Sequence, residues 1–208
     1  MLDSKSLVEL LEQKKLLIFD FDGTLADTSP LHARAFLKVL APYNIKVDYQ
    51  SIAGMKTKDA IKQCLIANGR NLSPNEIDTL VTAKQQYARI LIKNELKPLP
   101  GVDEFLQWAK PRYRLAMYSS GSRDTINIAL DKLGYTGWFV PMLCSDDVTH
   151  AKPDPEGYLM ILKITGVSAK EAIVFEDSDA GIEAASYAGI TIVDVRLPFR
   201  FGTIRDII

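Results

Sequence analysis

Asp20-Phe21-Asp22-Gly23-Thr24 closes a short apolar run, and further polar clusters follow along the chain: Ser119-Ser120-Gly121, Lys152-Pro153 and Glu176-Asp177-Ser178. Carboxylates from the first cluster and an acidic pair from the last would repel one another in a dry cleft, so a divalent cation is needed among them. Hard carboxylate oxygens with no nearby His or Cys favour Mg²⁺. Mg²⁺ keeps water and usually takes one or two carboxylates plus substrate oxygen, which makes a phosphate the expected remaining ligand. Lys152 brings positive charge to that phosphate, and the Ser119 hydroxyl, with Ser120 beside it, brings donors. With the anion clamped, Asp20 can attack phosphorus and form an aspartyl phosphate, so that one hard displacement becomes two easier ones. Asp22 can protonate the leaving oxygen and then deprotonate the attacking water.

Taken singly, each cluster has a plainer reading. An Asp-x-Asp is often a turn, Ser-Ser-Gly a helix entry, Lys-Pro a surface pair and Glu-Asp-Ser a helix cap. What unites them is their place. Short apolar runs at Leu16–Phe19, Leu115–Tyr118, Met142–Cys144, Ala172–Phe175 and Thr191–Val193 read as strands buried on both faces. Helical periodicity over Arg123–Leu133, Pro155–Thr165 and Asp179–Ala188 alternates with them, which argues for an α/β fold with a mostly parallel sheet. Ligands of such sheets bind at the carboxyl ends of the strands, where these clusters stand.

Between the first strand and the second no convincing strand occurs. Leu31–Leu40, Lys58–Ala67 and Pro74–Lys93 carry helical periodicity, separated by Pro42, Gly54 and Asn68-Gly69. The interval exceeds an ordinary crossover, so residues 29–96 are expected to form an inserted helical cap, and residues 1–28 and 97–208 the core.

The composition suits this picture. Of 208 residues 47% are hydrophobic and 25% charged, with a net charge of −1, which excludes a disordered chain, and the near-neutral balance offers no broad attraction for nucleic acid or anionic lipid. No apolar run approaches the roughly 20 residues of a membrane span, and the opening MLDSKSLVELLEQKK reads as an amphipathic helix. Cys64 and Cys144 sit in apolar-periodic surroundings and are expected to be buried thiols, consistent with a cytoplasmic setting. A small phosphorylated metabolite is the expected partner, with the protein a monomer or weak homodimer.

Asp20-Phe21-Asp22-Gly23-Thr24-Leu25, Ser119, Lys152-Pro153 and Glu176-Asp177-Ser178-x-x-Gly181-Ile182, in this order, resemble the haloacid dehalogenase superfamily in its β-phosphoglucomutase-like and phosphoglycolate-phosphatase-like branch. The resemblance runs from Leu16 to about Leu197. It implies a Rossmann-like three-layer core with a helical cap, and Mg²⁺ held by Asp20, the main-chain carbonyl of Asp22 and Asp177, with Glu176 at or near the metal, partly through water. The stretches Val174–Asp177 and Val193–Leu197 look most like bacterial phosphatases of fructose 1-phosphate and 6-phosphogluconate. Asp27-Thr28-x-x-x-His32 also resembles the branch, and Ala53–Lys58 resembles its substrate-specificity loop, making His32, Lys56 and Lys58 candidate substrate contacts. Lys152-Pro153-Asp154-Pro155-Glu156 departs from Lys-Pro-x-Pro-Asp, and its last acid is expected to cap a helix. The function expected is a Mg²⁺-dependent sugar phosphatase. A β-phosphoglucomutase-type phosphomutase and a phosphoglycolate phosphatase use the same core residues. A dehalogenase would lack the acid at Asp22. A phosphoacceptor signalling domain, from a different class, would lack both that acid and the cap.

Overall fold

The computed structural model describes residues 9–53 and 55–196. The amphipathic opening segment therefore lies largely outside the described residues, as do Gly54 of the Ala53–Lys58 loop and Leu197. The chain divides into two compact units, one built from the residues up to Asp27 and from Lys97 onward, the other from Thr28–Leu96.

The first unit is built on a parallel sheet of β1 (Leu16–Phe19), β2 (Arg114–Tyr118), β3 (Met142–Leu143), β4 (Ala172–Glu176) and β5 (Thr191–Asp194), in the order β3-β2-β1-β4-β5. Each of β1 and β4 is buried along its whole length, which is why both read as unbroken apolar runs. Side chains alternate between the two faces. Leu16, Ile18, Ala116, Tyr118, Ala172 and Val174 share a core cluster with Tyr158, Ile161, Ala184 and Ala185. The last four come from α6 (Glu156–Thr165) and α7 (Asp179–Tyr187). On the opposite face Phe19 stacks on Phe175 at 4.8 Å and meets Phe105 edge-on at 6.0 Å. Apolar residues thus cover both faces, as a three-layer α/β unit requires.

Phe105 belongs to α4 (Val102–Ala109), a helix outside the expected elements. Its Val102, Phe105, Leu106 and Ala109 are all buried, at the spacing of one helical face. Helix α5 (Arg123–Leu133) joins β2 to β3.

The second unit holds α1 (Ser29–Leu40), α2 (Thr57–Ala67) and α3 (Pro74–Glu95). Ser73 and Glu76 form a capping box at the start of α3, and Phe36, Leu40, Ile61, Leu65, Ile77 and Leu80 share the unit's core. Among the described residues no helix is long and apolar enough to cross a membrane. Cys64 and Cys144 are free and buried. Burial pushes the Cys144 thiol up to about 11, so it carries little thiolate at neutral pH.

Candidate active site

The period-2 alternation that sends Ile18, Tyr118 and Val174 to one face sends Glu176, the last residue of β4, and Asp20, just past β1, to the same side. Asp20 follows β1 directly, is 5% exposed, and extends the ladder by donating its N–H to Phe175 O at 3.0 Å. The chain then turns tightly, with Leu25 N and Ala26 N both donating to Phe21 O. Gly23 has φ +86°, in the left-handed region, and a Cβ there would lie 2.0 Å from Asp177 Oδ2. Two requirements, a turn and a close approach, thus fix glycine at this position. Thr24, buried in the same loop, points its hydroxyl at Asp177 Oδ1 across 3.5 Å. Asp22 is half-buried beside them.

Lys152 reaches into this group with its side chain 4% exposed. Its ammonium donates to Asp20 Oδ1 at 2.8 Å, Glu176 Oε2 at 2.8 Å and Tyr118 O at 3.1 Å. Glu176 is wholly buried, and both of its oxygens are engaged. Oε2 accepts from Lys152 and from the Tyr158 hydroxyl at 2.9 Å, and Oε1 accepts from Ser178 Oγ at 2.7 Å and Ser178 N at 3.1 Å. Gly181 is needed here because a Cβ would lie 2.0 Å from the Glu176 carboxyl carbon. The geometry makes Glu176 an anchor for Lys152 more than a ligand with an oxygen to spare.

The loop that carries Lys152 is fastened by Glu156. Its carboxylate accepts from Thr149 N and His150 N, each at 2.8 Å, and these bonds hold it below the usual carboxylate range. Glu156, expected to cap a helix, thus spends its carboxylate on these two amides, while Asp154 Oδ1 accepts from Glu156 N at 2.9 Å. Glu156 is itself the first residue of α6.

Ser119 follows β2, is fully buried, and its hydroxyl accepts from Gly121 N at 3.0 Å. Ser120 is exposed. The carbonyl of Gly121 in turn accepts from Ser145 N at 3.0 Å and Ser145 Oγ at 3.1 Å, tying the loop after β2 to the loop after β3.

Electrostatically the pocket holds more carboxylate than cation. Burial, foremost, pushes Asp20 well above the usual carboxylate range, and Glu176 and Asp22 add to the shift while Lys152 opposes it. Burial also pushes Asp177 up to about 6, with Glu176 contributing. For Lys152 burial disfavours the charge, but Asp20, Tyr158 and Glu176 outweigh it, so the ammonium persists. Carboxylate oxygens of Asp20, Glu176 and Asp177 lie within 4.8 Å of one another. The hard oxygens of Asp20 and Asp177, the latter seated in the space that a Cβ on Gly23 would fill, fit a Mg²⁺ ion.

In the helical unit, His32 Nδ1 lies 3.0 Å from Lys84 Nζ, and Lys84 sits 4.4 Å above the Phe36 ring. Lys84 is 5% exposed. Sequence reasoning passes over it, because a lysine in an amphipathic helix reads as part of the wet face. The signal was its register: buried Ile77, Leu80, Lys84, Ala88 and Leu91 form one stripe. Lys56 is exposed at the entry to α2, and exposed Lys58 pairs with Asp78 of α3.

Residues 17–195 match the family model described as haloacid dehalogenase-like hydrolase. The chain is 34% identical over 184 residues to the fructose-1-phosphate phosphatase YqaB of Escherichia coli (strain K12), covering 87% of this chain and 96% of that protein. It is 30% identical to a phosphorylated carbohydrates phosphatase of Thermotoga maritima, covering 83% of this chain and 81% of the other. The crystal structure of CbbY from Rhodobacter sphaeroides in complex with phosphate superposes with a TM-score of 0.77 at 26% identity, over 90% of this chain and 88% of CbbY.

Proposed function

The chain belongs to the haloacid dehalogenase-like hydrolase family, and within it we propose a phosphatase of small phosphomonoesters, sugar phosphates foremost, that works through an aspartyl phosphate on Asp20. The observation that carries this reading is the buried Asp20 carboxylate at a strand end, 2.8 Å from the Lys152 ammonium and among the acidic oxygens of Glu176 and Asp177. Relatives described as phosphatases of fructose 1-phosphate and of phosphorylated carbohydrates support the substrate class.

In this mechanism a carboxylate oxygen of Asp20 attacks phosphorus. The ester P–O bond breaks, its electron pair stays on the leaving oxygen, and Asp22 gives that oxygen a proton. Water then attacks the phosphoryl group as Asp22 takes a proton from it. The bond between phosphorus and Asp20 breaks, which frees inorganic phosphate and restores the carboxylate. Lys152 holds positive charge against the phosphoryl oxygens throughout, and the loop of Ser119 and Ser120 supplies donors. Asp20, Asp177 and the main-chain carbonyl of Asp22 would hold Mg²⁺, which offsets phosphoryl charge when bound. Both Glu176 oxygens are engaged with protein donors, so its part is to fix Lys152. Selection among phosphate esters falls to the helical unit, because the core residues address only the phosphoryl group that all of them share. The two buried thiols suit a reducing cytoplasm, and the protein works as a monomer or weak homodimer.

The test is phosphate release from fructose 1-phosphate, phosphoglycolate and p-nitrophenyl phosphate with Mg²⁺. Asp20→Asn keeps size and loses the nucleophilic charge, so it abolishes release from every substrate, and chelation silences the wild type until Mg²⁺ is restored. Substantial turnover by a folded Asp20→Asn variant would remove the covalent route. Conversion of β-glucose 1-phosphate to glucose 6-phosphate faster than phosphate release would replace the phosphatase with a mutase.

A further inference from the structure

Tyr158 has no part in the chemistry above, yet it is wholly buried against the residues that perform it. Its hydroxyl donates to Glu176 Oε2 at 2.9 Å, the same oxygen that accepts from Lys152 Nζ at 2.8 Å. Its ring stands edge-on to that of Tyr118, with centroids 5.1 Å apart and planes at 87°. Lys152 Nζ sits 4.8 Å from the centroid of the Tyr118 ring and 5.6 Å from that of Tyr158. The residue before it, Gly157, leaves room for this arrangement, since a Cβ there would lie 2.4 Å from the Tyr118 ring. Burial keeps the Tyr158 hydroxyl protonated, so it remains a donor.

An ammonium has three hydrogens, and on Lys152 they meet Asp20 Oδ1, Glu176 Oε2 and Tyr118 O. The carbonyl is fixed by the sheet, and Asp20 is the group that reacts. The position of Nζ during the reaction is therefore set largely by where Glu176 Oε2 stands. Glutamate reaches that point through several rotatable bonds, and Ser178 pins only its other oxygen. A phenylalanine ring would fill the same space without directing Oε2.

We propose that Tyr158 is a positioning residue for phosphoryl transfer: through its bond to Glu176 Oε2 it fixes the carboxylate that aims the Lys152 ammonium at the phosphoryl group on Asp20. This rests on the role given to Lys152 in the phosphatase reading. Tyr158 does not touch the substrate, and its effect falls on kcat more than on KM.

The experiment compares wild type, Tyr158→Phe, Glu176→Gln and the double variant on p-nitrophenyl phosphate, with a thermal melt of each. Tyr158→Phe is expected to lower kcat about tenfold, within the range for loss of one hydrogen bond to a charged group. Its KM should stay within about twofold and its melting temperature within a few degrees. In the Glu176→Gln background the same change should alter kcat by less than about twofold, because the charged acceptor is already gone. A tyrosine that only packed the core would give effects that multiply. That outcome, or a kcat for Tyr158→Phe within about twofold of wild type, overturns the proposal, and the single variant decides alone if Glu176→Gln does not fold. Wild-type inactivity toward every phosphate ester would instead overturn the phosphatase reading, and the role of Tyr158 with it.

Discussion

Replacing Gly181 by alanine adds a single methyl group to the first turn of α7 and is expected to cost far more activity than stability. Gly181 has no positive φ, so alanine meets no backbone strain there. Helix propensity alone would favour the change by about 1 kcal/mol. The new Cβ would nonetheless stand 2.0 Å from the Glu176 carboxyl carbon and 2.1 Å from Oε2. That is about 1.4 Å inside ordinary contact. The end of a glutamate usually swings aside cheaply. This one is wholly buried and bonded to Lys152, Tyr158 and Ser178, so it can retreat only by loosening those bonds. Overpacking of this kind costs about 1–3 kcal/mol, and the gain in helix propensity offsets part of it. For a chain of this length the net is a drop of a few degrees in melting temperature. Lys152 moves with the carboxylate that holds it, and in the proposed mechanism its misplacement by about 1 Å can cost about a hundredfold in rate. We therefore expect Gly181→Ala to lose about two orders of magnitude in kcat on p-nitrophenyl phosphate while still melting cooperatively. Steady-state kinetics beside circular-dichroism melts measure both quantities. A folded variant within about threefold of wild-type kcat would show that Glu176 does not hold Lys152 in place.

The helical unit offers a contrast between two lysines. Lys84→Met keeps the buried stem and loses the charge beside His32, and it should raise KM for sugar phosphates at least several-fold while sparing p-nitrophenyl phosphate. Lys58→Ala, which removes only an exposed pair with Asp78, should change either substrate by less than about threefold, and the reverse ranking would move specificity to the Ala53–Lys58 loop. The pH dependence of stability has a definite sign at Glu171, which bonding to Lys15 and to Ser168 holds down at about 2. A depressed carboxylate stabilises the fold above its unfolded value of about 4.3, and that contribution is lost as pH falls through the folded value. The melting-temperature gap between wild type and Glu171→Gln should therefore be present at pH 5, shrink below about pH 4.5 and vanish near pH 2, being smaller in high salt because the pair is exposed. A gap that does not change with pH would exclude this origin.

The strands were legible because burial on both faces leaves unbroken apolar runs, and the polar clusters that end them marked where the site would assemble. Less legible was anything decided by contact between distant segments. Glu176 stands next to Asp177 in the sequence and invites the same reading, yet Lys152 and Tyr158 claim one of its oxygens and Ser178 the other. Lys84 carries a wet-face residue type on a dry stripe, so its register had to be weighed above its chemistry. Helix α4 was readable from the spacing of Val102, Phe105, Leu106 and Ala109, but it is short and follows directly on a Pro-Gly turn. Glu156 carries a residue type suited to capping, and only the structure shows its carboxylate turned back onto the Thr149 and His150 amides.

The sheet order β3-β2-β1-β4-β5 also bears on how the molecule comes into being. The central strand is the first to leave the ribosome, and its neighbours on either side are made only after the whole Thr28–Leu96 unit has been synthesised. Asp20 and Lys152, which touch in the finished protein, are 132 positions apart. Closing loops of that length costs entropy before any contact repays it, so β1 is expected to pair after the helices of the second unit have formed from local contacts. A nascent chain that stops short of β4 lacks Asp177 and also Glu176, whose Oε2 accepts from Lys152. The order of synthesis therefore keeps Asp20 without its Lys152 and Glu176 partners until translation has passed β4.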